Sequence, residues 1–182
     1  SRYCFVDGLK PFGFLKGERY TIKSRMNTFI RGTHKAIIYG NGATISSTYD
    51  VFSQTKLLWL LNFYKLGGTT GFPDITINDL NFDANMTFQF TNTPGPDIFK
   101  CLFLYFQPGL NKITLNNCNF NNIQGAGITS KNCNELTLIN TNMVNVGGKY
   151  GNRADWQKED NFGDGIHFTF EADNSYIAEF TS

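Results

Sequence analysis

The sequence predicts an all-β fold: a parallel β-solenoid, with three strands in each coil. Three observations predict it. The stretch ITINDLNF (75–82) returns as ITLNNCNF (113–120) and again as LTLINTNM (136–143). Within each copy the apolar residues alternate, slip by one position at an Asn-containing pair, and then alternate again. The second and third copies begin 23 residues apart, which suits one coil of a parallel β-solenoid. A period-two pattern with one slip cannot be a single straight strand with one buried face. It is two short strands around a corner, and Asn and Asp suit such a corner because they tolerate left-handed backbone angles. Repetition follows from the same physics, since one coil cannot bury its own apolar side and needs another stacked on it.

In chain order, residues 1–16 are a lead-in or cap segment, with Phe5, Phe12 and Phe14 available to cover part of the wall. The solenoid is expected over 17–182. Tyr20-Thr21-Ile22 and the run from Ile37 to Ile45 read as earlier coils with glycines at their corners. LLWLLNFY (57–64) and CLFLYF (101–106) lack alternation, so both faces of these strands should be dry, and if the two occupy nearby coils they form an apolar stripe on the outer wall. Between the second and third copies, Ile123, Ile128 and Cys133 continue the inward set and leave room for a third strand near Gly125-Ala126-Gly127-Ile128. Two coils carry insertions, at about 86–99 and 147–162, and GDGIHF (163–168) resumes the pattern where GAGITS (125–130) stood. Tyr176 then aligns with Leu136.

Bulk properties exclude several function classes. Net charge is +1 with 17% charged residues, so there is no broad basic field for nucleic acid or an anionic membrane. The apolar runs are far shorter than the roughly 20 residues of a membrane helix. Cys4, Cys101, Cys118 and Cys133 show no metal-ligand spacing and read as small buried thiols without a required disulfide. No phosphate loop, zinc-protease, serine-hydrolase or calcium-loop pattern is present. The expectation is therefore no cofactor, no metal, no nucleic-acid partner and no membrane insertion.

Solenoid insertions map to surface loops, often on the binding face. If both leave by the same corner, their roots lie two strand spacings apart, about 10 Å, enough to admit a sugar chain. The floor would be the outward residues of the plain coil between them: Asn119, Asn121, Gln124 and Thr129. The second insertion supplies carboxyl candidates in Asp155, Glu159 and Asp160, with Asp164 just beyond it. Glycan hydrolysis needs two such groups flanking the bond, roughly 5 Å apart for retention or 6.5–9.5 Å for inversion. Trp156 and Tyr150 could form an aromatic platform for a sugar face, with Arg153 and His167 as donors. The same charged stretch also reads as a solvated loop, and Asn at solenoid corners as structural.

The segments GERYTI (17–22) and IIYGNGATI (37–45) resemble the opening coils of the pectate-lyase-like superfamily, most closely bacteriophage tailspikes and tail appendage proteins. With the Asn-rich coils as far as Ile177, the resemblance spans most of the chain. It implies a right-handed single-stranded parallel β-helix and a homotrimer packed side by side. It also implies a place in the virion tail, extracellular and beside other tail proteins, and a bacterial surface glycan that is bound and degraded. Asp164-Gly165-Ile166 is similar to the Asp-Gly-Ile part of a catalytic motif in pectin-cleaving hydrolases of that superfamily. Here Phe162-Gly163 replaces its Asn-Thr, and the later Asp-Asp and Gly-His-Gly motifs are absent. Two other expectations stand beside it: a non-catalytic structural or adhesive virion component, and a cellular pectin-active lyase or hydrolase. A solenoid needs polar caps at its ends, so the polypeptide is expected to continue past Ser182, this chain being the N-terminal part of a longer helix.

Overall fold

The computed structural model describes residues 2–7, 12–22, 26–31, 35–47, 57–68, 70–84, 100–147, 166–169 and 177–181. Every regular element among them is a strand. β1 (Arg2–Asp7) precedes β2 (Phe12–Gly13), β3 (Arg19–Ile22) and β4 (Met26–Arg31). Next come β5 (Ala36–Tyr39), β6 (Thr44–Ser47) and β7 (Leu57–Lys65), then β8 (Ile75–Asn78), β9 (Asn81–Asp83) and β10 (Lys100–Phe106). β11 (Lys112–Asn116), β12 (Asn119–Lys131), β13 (Glu135–Ile139), β14 (Asn142–Gly147), β15 (Ile166–Thr169) and β16 (Ile177–Thr181) complete the set.

All pairings are parallel, and each joins strands that occupy equivalent places in successive passes of the chain. The first face runs β2-β5-β8-β11-β13-β16. The other strands form one hydrogen-bonded sheet, but β12 bends and serves two faces. Its start pairs with β9 and β14, giving a second face β3-β6-β9-β12-β14. Its later part pairs with β10 and β15, giving a third face β1-β4-β7-β10-β12-β15. The lead-in segment thus contributes β1 to the third face and β2 to the first. The architecture is all-β with three parallel sheets, consistent with a parallel β-helix.

The three sequence copies lie in one column. Ile113 sits opposite Ile75 on one side and Leu136 on the other, and Leu115 likewise between Ile77 and Leu138. Their side chains point into a shared core with Phe82, Phe120, Leu104, Phe106, Ile123 and Ile128. Like residues stack on like. The rings of Phe82 and Phe120 are 4.7 Å apart and nearly parallel, and those of Phe63 and Phe106 are 5.1 Å apart. Such pairs add about 0.5–1.5 kcal/mol beyond burial.

The slip in each copy is a left-handed residue. Asp79, Asn117 and Asn140 have φ of 52°, 56° and 46°, at the three positions where the alternation breaks. Further along, Asn122 and Asn145 repeat the conformation at the bend of β12 and in the middle of β14. Their amides form ladders along the stack. Asn117 donates to Asp79, Asn122 to Asp83, and Asn145 to Asn122. Asn134 donates to Asn111 (2.7 Å), which donates to Asp74 (2.8 Å). These ladders end on aspartates, and a carboxylate accepts without donating, so every amide in them must donate toward the earlier pass.

Two expectations need correction. Leu136 faces Ala178, not Tyr176. Tyr176, Ala178 and Phe180 share one parity, so a shift by two residues keeps the same face inward and alternation alone cannot choose between registers. Second, the outer side of the stripe is not purely apolar. β7 and β10 are neighbours, with Leu61, Phe63, Leu104 and Phe106 buried inward, but the alternating positions are Asn62, Tyr64 and Tyr105. The side chains of 57–60 and 100–103 lie outside the described residues.

Gly40 marks the tightest approach between passes. It donates its N–H to the Asn78 carbonyl at 2.6 Å, and a Cβ there would collide with the backbone of Asp79 and Leu80. Gly40→Ala must therefore push two passes apart, and it should lower unfolding free energy by about 1–3 kcal/mol in urea titration. A variant as stable as the parent would show that the stack yields more easily than this contact implies.

Candidate functional site

The connections between the second and third faces are where the chain departs from its repeat. β9 ends at Asp83 and β10 begins at Lys100, while β14 ends at Gly147 and β15 begins at Ile166. Between them β12 turns the same corner without interruption, as a 13-residue strand with a register shift at Gln124/Gly125. The expected separate third strand is thus the continuation of β12. Both long insertions leave by one corner, and the strands carrying their roots flank β12 directly. Two parallel spacings separate those roots, about 10 Å. The register also agrees, since Ile128, Thr129 and Ser130 face Ile166, His167 and Phe168.

Of the sequence-predicted site residues, Asp155, Glu159, Asp160, Asp164, Trp156, Tyr150 and Arg153 lie outside the described residues. For His167 and Gln124 the backbone is described and the side chain is not. Asn119 and Asn121 stand on the outward side of β12, either side of buried Phe120. Asn119 is spent on the stack: it donates to Asn81 (2.7 Å) and accepts from Asn142 (3.1 Å). Asn121 is half-buried, in register between Asp83 and Val144, and its side chain has no hydrogen bond to another described residue.

On the third face the floor continues in a group that the sequence reading passed over, apart from Thr129. Ile128 and Ser130 are buried in the core, so Thr129 points outward; it is only 5% exposed, and its hydroxyl has no hydrogen-bond partner among the described residues. Tyr105 lies beside it in register on β10. Burial pushes the Tyr105 phenol above its usual range, the Lys131 ammonium opposes that rise, and Tyr64 adds to it. Beyond them Asn62 is fully buried although it faces outward. It donates to Asn27 (3.4 Å) and to the Tyr64 hydroxyl, and accepts from Gln107 (3.3 Å). Tyr64 in turn stacks on Phe29 at 5.4 Å. The polar interruptions Asn62, Tyr64 and Tyr105 inside the two apolar runs were the available signal.

The two thiols among the described side chains, Cys118 and Cys133, offer no nucleophile. Cys118 is wholly buried and burial pushes its pKa up to about 11; Cys133 is shifted upward for the same reason. Among the described residues no cluster of His, Cys, Asp and Glu could hold a metal ion.

The geometry defines an all-β, parallel stacked-sheet protein whose departures from repetition converge on one corner. Compared with known proteins, the chain matches no family model, no curated protein and no solved structure.

Asn119→Ala should cost about 1 kcal/mol in urea unfolding, because it breaks a ladder in both directions, whereas Asn121→Ala should stay within roughly 0.5 kcal/mol. Equal effects would remove the distinction between ladder and floor. Native protein treated with iodoacetamide at pH 8 and mapped by mass spectrometry should be unmodified at Cys118, and modified there once unfolded.

Proposed function

We propose that the chain is a right-handed parallel β-helix, with a lead-in over 1–16 and roughly five to six stacked coils over 17–182, belonging to a phage tailspike or tail appendage. On this reading it binds a bacterial surface glycan between its two insertions and cleaves it. The observation that carries the reading is the shared corner: both long insertions leave from strands that flank β12, on a wall whose outward residues include amides, a hydroxyl and phenols. Such groups suit hydroxyl-rich ligands, and a wall held by ladders on both sides presents them with little freedom to lose on binding. Asp164 would act with one of Asp155, Glu159 or Asp160 as acid and base, with Trp156 and Tyr150 under the sugar ring. The working form would be a homotrimer on the virion, outside the cell.

A non-catalytic adhesive component is the second reading. The saturation of Asn81, Asn119 and Asn142 by one another favours it, since those amides are not left for a ligand.

Incubation with purified bacterial surface glycans separates the two. Hydrolysis releases new reducing ends, elimination creates an ultraviolet-absorbing unsaturated uronate, and an adhesin retains glycan without products. Asp164→Asn should lower turnover by about 10²-fold or more while leaving retention intact. Unchanged turnover would remove Asp164 from the mechanism.

A further inference from the structure

We infer that Asn41 is a self-modification site which the stack holds shut. It stays an amide while the lead-in is docked, converts to aspartate and isoaspartate when the lead-in detaches, and then bars the lead-in from docking again. The inference goes beyond ligand binding and holds whatever the outer wall takes.

Asn41-Gly42 is the one Asn-Gly pair in the sequence. Once deprotonated, the Gly42 backbone nitrogen attacks the side-chain carbonyl carbon of Asn41, and glycine has no side chain to obstruct that approach. A nitrogen–carbon bond forms and the bond to the side-chain amide breaks. The Gly42 proton passes through solvent to the departing amide, which leaves as ammonia, and a cyclic imide remains. Water then opens the imide at one of its two carbonyls. Opening at the side-chain carbonyl gives aspartate; opening at the main-chain carbonyl gives isoaspartate, whose backbone detours through the side chain and is longer. Water is consumed and ammonia released, and no other reactant is needed.

Both reacting groups are clamped. Asn41 and Gly42 are the central residues of a turn, with φ of 52° and 73°, closed by the Ala43 N–H donating to the Gly40 carbonyl at 2.9 Å. The Gly42 N–H donates to the Asp79 carbonyl at 2.8 Å, which opposes the loss of its proton. The Asn41 amide donates to the Phe14 carbonyl at 2.8 Å, which holds the leaving group in place. Phe14 belongs to the pass before and Asp79 to the pass after, so the turn is gripped from both sides. Asn41 is nonetheless exposed and open to water. Hydrogen bonds between passes protect it, not burial.

The lead-in is the weaker grip. β2 has two residues and among the described strands pairs only with β5. Its hold is completed by the Phe14 N–H on the Tyr39 carbonyl (2.8 Å), the Gly17 N–H on the Asn41 carbonyl (3.1 Å), and a ring cluster in which Phe14 meets Phe12 and Tyr20, each at 5.1 Å. Phe12 and Leu15 are exposed. A short strand with few buried contacts opens at lower free energy than the whole molecule. Once it lifts, the leaving amide is free and the Gly42 bond to Asp79 is the remaining restraint on the nucleophile. Either product then resists return. An aspartate carboxylate accepts without donating, so it sets an anion against the Phe14 carbonyl. Isoaspartate lengthens the backbone beside Gly40, where no Cβ fits against Asp79 and Leu80.

The test is peptide mapping by mass spectrometry of the full chain aged in mildly alkaline buffer, with and without urea, reading the amide-to-acid mass gain at Asn41. Asn41 should convert in urea and convert about tenfold more slowly, or slower still, in native buffer. Phe14→Ala removes both ring contacts; it should speed the native conversion about fivefold while β8 and β11 keep their hydrogen-exchange protection. Ile113→Val thins the core two passes beyond β5 and should leave the native rate unchanged, because the opening is local. Asn41→Asp stands in for one product and should speed exchange at the Phe14 and Gly17 amides alone. Equal rates in urea and native buffer, or no conversion in urea, would overturn the inference. So would a parental rate in Phe14→Ala, loss of β8 and β11 protection in that variant, or an equal acceleration by Ile113→Val, each of which denies that the lead-in opens by itself. Parental exchange in Asn41→Asp would overturn the bar to docking again.

Discussion

Everything in this molecule depends on one constraint: each strand must find its hydrogen-bond partners in the pass before and the pass after it. Parallel pairing at constant register places residue over residue, so Ile75, Ile113 and Leu136 become one column and Phe82 lies on Phe120. Because the columns are continuous, a side chain that fits once must fit again beside its own kind. Turning the corner adds a second demand. The backbone must enter the left-handed region at the same place in each pass, which costs an ordinary residue about 1–2 kcal/mol. Asn and Asp lower that cost, and once aligned their side chains bond one another. Asp79 with Asn117, and Asp83 with Asn122, turn a local conformational need into a bond between passes, and Asp74 with Asn111 adds a further rung.

That economy also decides where function can reside. The inside is filled with Ile, Leu and Phe, and the corners between the first and second faces are occupied by the ladders. What remains is the outer wall and the corner between the second and third faces, where the chain leaves for two long excursions and, in the β12 pass between them, runs straight on. A rigid strand between two roots is a floor between two sides. Outward residues there are positioned by the stack beneath them, which is why Asn62 can be fully buried on an outer wall with its amide bonded to three neighbours.

Legibility in the sequence followed the periodicity. The alternation, the slip at Asn78-Asp79, Asn116-Asn117 and Ile139-Asn140, and the equivalence of Ile166-His167-Phe168 with Ile128-Thr129-Ser130 were readable, because a stacked core forces residues of one column to be alike. Registers were readable only modulo two: Leu136 meets Ala178 where Tyr176 had equal parity. The site was less legible. Asn119 looked like a floor residue and is a ladder rung, since a sequence cannot show whether an amide has a neighbour above it. Tyr64 and Tyr105 were hidden in runs that read as apolar throughout, because a phenol counts as an aromatic until its surroundings are known.

By itself, then, the sequence determined the all-β class, the columns that fill the interior and the residues at which the backbone must bend, since local conformation and burial leave a periodic mark. Only the tertiary structure decided which corner both excursions share, which amides bond each other, and that a threonine hydroxyl on the outer wall has no partner among the described residues. Those depend on distances between separate passes of the chain, and no local pattern encodes how far apart two passes will lie.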